Sequence, residues 1–311
     1  MTLRVVVAGA SRVVGGPLLA RLRERGHHVT ALVGGPGDFV DPDRVDEVVV
    51  AEPDDARALR SAVRDAAPDA LVDLAADLAA GDGEVLRGCA RRGRETADLV
   101  AAATAAGARR VVAQSSTGAY RPCGREVLDE SAPLWTDATG VWGEVVRSLS
   151  VAEQAVLGRP DVAGAVLRYG SLYGPGTRFA PGGAVHEQVR GSALPLVEDG
   201  VGLTSFTHVD DAAQALVEVL DQEVTGTYNV VDNEPAECAE WLPAYARMAG
   251  GPAPVTLSLD KARAQLDALT VHQLTEQRAA TNFRIREELG WRPAWPSWRE
   301  GFAEMFGLWP V

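Results

Sequence analysis

The 311 residues carry 46% hydrophobic and 23% charged side chains, the balance of a globular protein and not of a disordered chain. Thirty Lys and Arg against 43 Asp and Glu leave a net charge of −13, a poor match for nucleic acid or an anionic membrane. No apolar run reaches the ~20 residues of a membrane helix, and at about 150 residues per domain the length suits one large domain or two modest ones.

The opening run from Met1 to Ser11 is a strand pattern leading into glycine, without the apolar core or cleavage site of a signal peptide. A cytoplasmic protein is expected. Cys89, Cys123 and Cys238 are too scattered for a disulfide framework or a CxxC metal site, and the five His show no ligand spacing, so no metal is expected. Of the 30 basic residues only Lys261 is a lysine.

Leu3–Val7 reads as a strand, Pro17–Arg25 as a helix, His28–Val33 and Val48–Ala51 as strands, and Asp55–Asp65 as a helix. Ala70–Leu74 follows as a strand, Glu95–Ala106 as a helix and Arg110–Gln114 as a strand. Such alternation predicts an α/β fold, a doubly wound parallel sheet covered by helices on both faces. Gly26, Gly107 and Gly158 fall at helix ends and are expected as left-handed caps. His27 and His28 are expected in a surface turn before the second strand.

The second half is punctuated by prolines and adds strands at Ala165–Arg168 and Thr227–Val231 and a helix at Asp210–Leu220. After Thr281 comes a charged helix and then Trp291, Trp295 and Trp298, which are expected to be packing anchors because large aromatics bury the most area. The division is residues 1–168 for a nucleotide-binding domain and 169–311 for a smaller substrate lobe, some of whose elements return to the first domain.

The first strand runs into Gly9-Ala10-Ser11-Arg12-Val13-Val14-Gly15 and then a helix. Strand, glycine-rich turn and helix is the context in which a dinucleotide's pyrophosphate meets a helix N-terminus, although the middle glycine is replaced by Arg12 or Val13. The second strand ends at Val33-Gly34-Gly35, with no acid before Asp38. An NAD site places a carboxylate there for the ribose hydroxyl, whereas Arg12 suits a 2′-phosphate. NADP(H) is the expected cofactor, held by Gly9, Ser11, Arg12, Val13, Val14, Gly15 and Gly34.

Further segments resemble the extended branch of the short-chain dehydrogenase/reductase superfamily, the NAD-dependent epimerase/dehydratase family with its Rossmann-type sheet. Asp69–Ala76 is similar to that family's fourth strand, with Asp73 where His is common. Val111–Tyr120 resembles the strand bearing the catalytic Ser or Thr, here Ser116, four residues before Tyr120. Leu167–Gly176 is similar to the nicotinamide-side loop, and Phe206–Asp211, Tyr228–Asp232 and Glu287–Pro293 to segments of the substrate lobe and tail. The resemblance adds Ala75, Ser115, Tyr169, Gly170 and Ser171 to the cofactor site, and implies Ser116 and Tyr120 as catalytic residues. It implies Asp77, Val145, Leu149, Tyr173, Arg178 and His208 as substrate contacts.

The family's Tyr-x-x-x-Lys pair is missing. Aligning Ser148 and Ala152-Glu153-Gln154 on the family pattern puts Val145 at the Tyr position and Leu149 at the Lys position, and Arg92 where Asn is frequent. No Tyr lies between Tyr120 and Tyr169, and the single Lys is at 261. Three readings follow. The first is an NADPH-dependent reductase of an aromatic polyketide-like ketone, similar to the atypical ketoreductases of antibiotic pathways that act on angucyclinones. There Ser116 would hold the carbonyl oxygen, and the proton would come through water, from Tyr120 or from a phenol on the substrate. The second is a sugar-nucleotide epimerase or dehydratase, which needs a base where Val145 stands. The third is a non-catalytic NADP-binding sensor or scaffold. No nucleic-acid or membrane partner is expected, and the oligomeric state is left open.

Overall fold

The computed structural model describes residues 2–308 except 36, 53–54, 75–82 and 125–126, with only the backbone of 83–87, 89 and 91. Short apolar runs form the parallel strands β1 (Arg4–Ala8), β2 (His28–Val33), β3 (Glu47–Val50), β4 (Ala70–Asp73), β5 (Arg110–Ser116) and β6 (Ala163–Tyr169). Strands buried on both faces need no polar alternation, and β4 is buried at every position. The short strands β7 (Ser171–Tyr173), β8 (Leu196–Val197), β9 (Leu203–Thr204), β10 (Phe206–His208), β12 (Ala236–Glu237) and β13 (Thr256–Leu257) pair outside this sheet, while β11 (Gly226–Val230) joins it. The order in the seven-stranded sheet is β11-β6-β5-β4-β1-β2-β3, with every pairing parallel.

The direction of winding reverses between β1 and β4, and a ligand crevice is expected at the carboxyl ends of strands at such a switch. Helices α1 (Gly15–Glu24) and α6 (Val209–Gln222) cover one face, and α2 (Ala56–Ala66), α3 (Gly83–Ala105) and α4 (Gly140–Leu157) the other. A second apolar cluster is built from α5 (Ala184–Arg190), α7 (Cys238–Met248), α8 (Leu259–Gln265), α9 (Ala268–Thr275) and α11 (Trp298–Met305). The charged tail helix is α10 (Phe283–Leu289).

Most expected elements lie within two residues of their positions, with three corrections. The helix expected at Glu95–Ala106 is the carboxyl half of α3, which begins at Gly83, because Gly88 and Gly93 are tolerated inside it. Gly93 lets α3 approach α4 so closely that a Cβ there would lie 2.3 Å from the Ser148 carbonyl oxygen. Gly158 ends α4 with φ −80°, not in the left-handed region that Gly26 and Gly107 occupy. His27 is buried, its Nδ1 accepting from the Leu3 amide at 3.1 Å, while exposed His28 starts β2.

Trp291 and Trp298 are 2% and 0% exposed in the first and second clusters, and Trp295 packs on the His208 ring. Two buried carboxylates fasten this tail. Asp211 accepts from the Ala294 and Trp295 amides at 2.7 and 3.0 Å. Asp232 accepts from the Trp298 amide at 2.9 Å.

Candidate functional site

The switch-point crevice begins where β1 ends. Gly9 has φ +72°, a conformation that side chains rarely adopt. At Gly15 a Cβ would lie 2.0 Å from the Ala10 carbonyl oxygen. Between them the Arg12 amide donates to Gly9 and the Gly15 amide to Arg12, at 2.9 and 2.8 Å. No side chain among the described residues caps α1; the Gly15 amide is taken by Arg12 and Pro17 has none, so the Gly16 amide is the one at the helix start left to meet a phosphate. Gly9, Ser11, Arg12 and Gly34 line a cleft of about 500 Å³, open mouth included, together with Asp38, Asp73, Arg92 and Thr96.

The Arg12 guanidinium has no hydrogen bond or ion pair among the described residues, whereas Arg92 pairs with Glu95 at 2.9 Å. Asp38, placed beyond the strand end by the sequence, folds back so that Oδ2 accepts from the Gly34 amide at 2.9 Å. A turn that only glycine can make, the Gly16 amide at the helix start and an uncommitted cation fit a dinucleotide. Val13 and Val14 contribute backbone, their side chains packing toward the core. Ala75 and Asp77 lie outside the described residues.

At the carboxyl end of β5 a second cavity of about 650 Å³, mouth included, is lined by Ser115, Ser116, Tyr169, Gly170, Ser171 and Arg178. Ser116 Oγ accepts from the Gly118 amide at 3.1 Å, which leaves its own proton available. Trp142 from α4 and Leu269, Gln273 and Gln277 from the α9 region complete the lining.

A buried polar chain lies under this floor. Ser115 donates to Glu153 Oε1 at 2.6 Å, and Arg168 meets the same carboxylate through Nε at 2.9 Å and Nη2 at 2.6 Å. The Arg168 guanidinium stands 4.8 Å from the centre of the Tyr120 ring, and the Tyr120 hydroxyl donates to Asn229 Oδ1 at 2.8 Å. Burial pushes the Tyr120 phenol above its ordinary pKa. Tyr120 is absent from the residues that line the cavity, and its hydroxyl points to Asn229.

Residues 5–231 match the NAD dependent epimerase/dehydratase family. A 3-diazoavenalumate denitrifying reductase from a Streptomyces species is 48% identical over 304 residues, 96% of this chain and 99% of that protein. The chain belongs to the NAD dependent epimerase/dehydratase family. Human epimerase family protein SDR39U1, solved with NADPH, superposes with a TM-score of 0.73 at 21% identity over 97% of this chain and 99% of its own. The dTDP-glucose 4,6-dehydratase DesIV of Streptomyces venezuelae, solved with NAD and TYD, gives 0.74 at 20% identity over 98% and 96%. At such identities these two structures show a shared fold.

Within the family's pattern α4 is the helix of the Tyr and Lys. Here it offers Val145 and Leu149, 0% and 3% exposed and packed with Ala119, Trp142, Val146 and Leu269. Neither is among the residues lining the cavity, where Trp142 is the α4 residue present. Two further expected contacts, Tyr173 and His208, are buried beside this region. Tyr173 is fully buried, edge-on to Phe206, His208 and Phe302. His208 caps α6, its Nδ1 accepting from the Asp210 amide at 3.2 Å, and burial lowers its pKa to about 4. Lys261 is exposed on α8.

Gln273 and Gln277 were not singled out from the sequence. Their signal was an i, i+4 polar pair following Asp267, whose side chain caps α9 by accepting from the Thr270 amide, but nothing local says that this segment folds back over β5.

Proposed function

We propose that this chain is an NADP(H)-dependent reductase that transfers hydride to an aromatic compound without a proton relay from its own Tyr and Lys. The observation that carries this is the apolar burial of Val145 and Leu149 together with the engagement of the Tyr120 hydroxyl by Asn229. The reduced nicotinamide, when bound, supplies the hydride. The Gly9–Gly15 turn and the Gly16 amide would hold its pyrophosphate and Arg12 its 2′-phosphate. Asp38, at the end of β2, is the one observation that favours NAD(H) instead.

A diazo carbon is the acceptor that best suits such a cavity, in keeping with the relative named as a denitrifying reductase. Hydride brings the electron pair of a new C–H bond, the C–N bond breaks, and its pair leaves with dinitrogen. No alkoxide forms, so no general acid is required. The protein's part is to orient an aromatic ring between Trp142, Leu172 and Leu269 and to exclude water.

Reduction of an aromatic polyketide-like ketone is the second reading, and the free proton of Ser116 favours it. There Ser116 would donate to the carbonyl oxygen, and a substrate phenol, with a pKa of ~10, would protonate the alkoxide. Epimerisation and dehydration begin with oxidation, for which Val145 supplies no base.

The test is cofactor oxidation with deuterated NADPH or NADH, using an ortho-hydroxy diazoarene and an aromatic hydroxyketone as substrates. We expect dinitrogen release and deuterium at the former diazo carbon. Label at a carbinol carbon would replace this with the ketone reading. Oxidation of neither cofactor by either compound would remove the reductase and leave the sensor reading.

A further inference from the structure

The cavity beside Ser116 adjoins a more apolar one lined by Phe179, Val185, Leu194 and Trp241. The two share Ser171, Arg178, Gln273 and Gln277. Arg178 is the one charged residue lining either cavity among the described residues, in a chain of net charge −13. Its guanidinium is half-buried over the Phe179 ring, 5.1 Å from its centre, and has no ion pair or hydrogen bond among the described residues. The Ser171 hydroxyl and the Gln273 side-chain amide are also uncommitted, and the 92%-buried Trp142, 8% exposed, has an unpartnered Nε1.

A shielded cation without a counter-charge is unfavourable, and burial lowers the Arg178 pKa with no acid opposing it. Its backbone is fixed, since the Val185 amide donates to the Arg178 carbonyl at 2.9 Å and Thr177 Oγ1 donates to Gly174 at 2.8 Å. Fixed donors and no acceptor anion describe a site completed by a ligand's negative charge. A planar guanidinium meets a carboxylate through two parallel hydrogen bonds.

We propose that Arg178, assisted by Ser171 and Gln273, anchors a carboxylate of the substrate, so that the substrate is an aromatic or unsaturated acid with its reacting carbon on the Ser116 side. This rests on the reductase reading. The anchor is a specificity device: it selects acids over their esters and sets which end of an elongated substrate reaches the cofactor loop.

The experiment compares calorimetric binding of an unreactive hydroxycinnamate and its methyl ester to the NADPH-loaded protein, for wild type, Arg178→Gln and Arg178→Lys. The expected result is an acid bound about ten- to a hundredfold tighter than the ester. Arg178→Gln should lose that preference, Arg178→Lys should keep part of it, and NADPH affinity should stay unchanged in both. Equal binding of acid and ester, binding of neither, or an unaltered preference in Arg178→Gln overturns the proposal. The ester comparison decides even where a variant fails to fold. The same ligands as diazo derivatives separate the two readings. Arg178-dependent binding without cofactor oxidation keeps the anchor and removes the reductase. Oxidation at the same KM for acid and ester keeps the reductase and removes the anchor.

Discussion

Arg168 and Glu153 form a two-pronged ion pair in which both side chains are only 7% exposed. It ties β6 to α4 under the cavity floor, and Ser115 at the end of β5 joins the same carboxylate. Three elements that line the cavity beside Ser116 therefore share one buried charge pair. A buried pair of this kind is weak evidence of net stability, and Arg168 Nη1 is left without a partner among the described residues.

Arg168→Met should strand the Glu153 carboxylate and destabilise the protein by about 3–5 kcal/mol. Arg168→Met combined with Glu153→Leu should recover a large part of that loss, because the uncompensated charge is gone. Urea denaturation midpoints of the two variants measure the difference, and equal losses would refute this account of the pair.

Gly15→Ala places a methyl group against the Ala10 carbonyl, where 2.0 Å is available. The loop must shift, at a stability loss of about 1–3 kcal/mol for overpacking. Dinucleotide affinity should fall in parallel for NADPH and NADH, as read by fluorescence titration, since the pyrophosphate turn serves both.

Arg12→Gln should act on one cofactor only. Losing a charge-assisted contact to a 2′-phosphate is worth about 1.5–3 kcal/mol, or roughly ten- to 150-fold in Kd. NADH affinity should be unchanged. A variant that weakens both cofactors alike would instead mark Arg12 as a pyrophosphate ligand, and Asp38→Ala would then be expected to weaken NADH more than NADPH.

Tyr120→Phe should leave turnover within about twofold of wild type, because the phenol is bonded to Asn229 outside the cavity. Its effect should be on stability, about 1 kcal/mol for a lost buried hydrogen bond. Loss of most activity in a fully folded Tyr120→Phe protein would restore it as the proton donor.

His208 gives a pH dependence with a definite sign. Burial lowers its pKa to about 4, with Asp210 partly opposing and Arg21 adding to the effect. The unfolded chain therefore takes up the proton first, near its ordinary value of about 6.5. The stability conferred by neutral His208 is complete above that pH and declines as pH falls toward about 4, a span worth on the order of 3 kcal/mol. Asp211 and Asp232 are raised to about 6 and about 8 by burial and act with the opposite slope, so the test is a difference. His208→Asn keeps a capping acceptor for the Asp210 amide. The gap in thermal midpoint between wild type and this variant should narrow between pH 6.5 and 4; a constant gap would show that His208 does not titrate in folding.

The sequence alone determined the parallel sheet, the loop from Gly9 to Gly15 and the loss of the Tyr-Lys pair. These are local matters: strands buried on both faces read as unbroken apolar runs, a left-handed turn requires glycine, and a chain with one lysine, at 261, cannot supply the pair. The length of α3 was not legible, because Gly88 and Gly93 look like breaks until the close approach to α4 explains one of them.

Direction and partnership were decided only by the tertiary structure. Sequence spacing put Tyr120 beside Ser116, but the chain turns after β5 and sends the phenol to Asn229, 109 residues away. It placed Val145 and Leu149 on the correct helix without revealing that Ala119 and Leu269 would bury them. Tyr173 and His208 sit in family-like motifs, yet aromatic packing from residues beyond 290 encloses both. Arg178 shows the reverse. A loop arginine carries no local signal of being unpaired, and only the convergence of β7, α9 and its own loop around two adjoining cavities leaves its charge without a partner among the described residues.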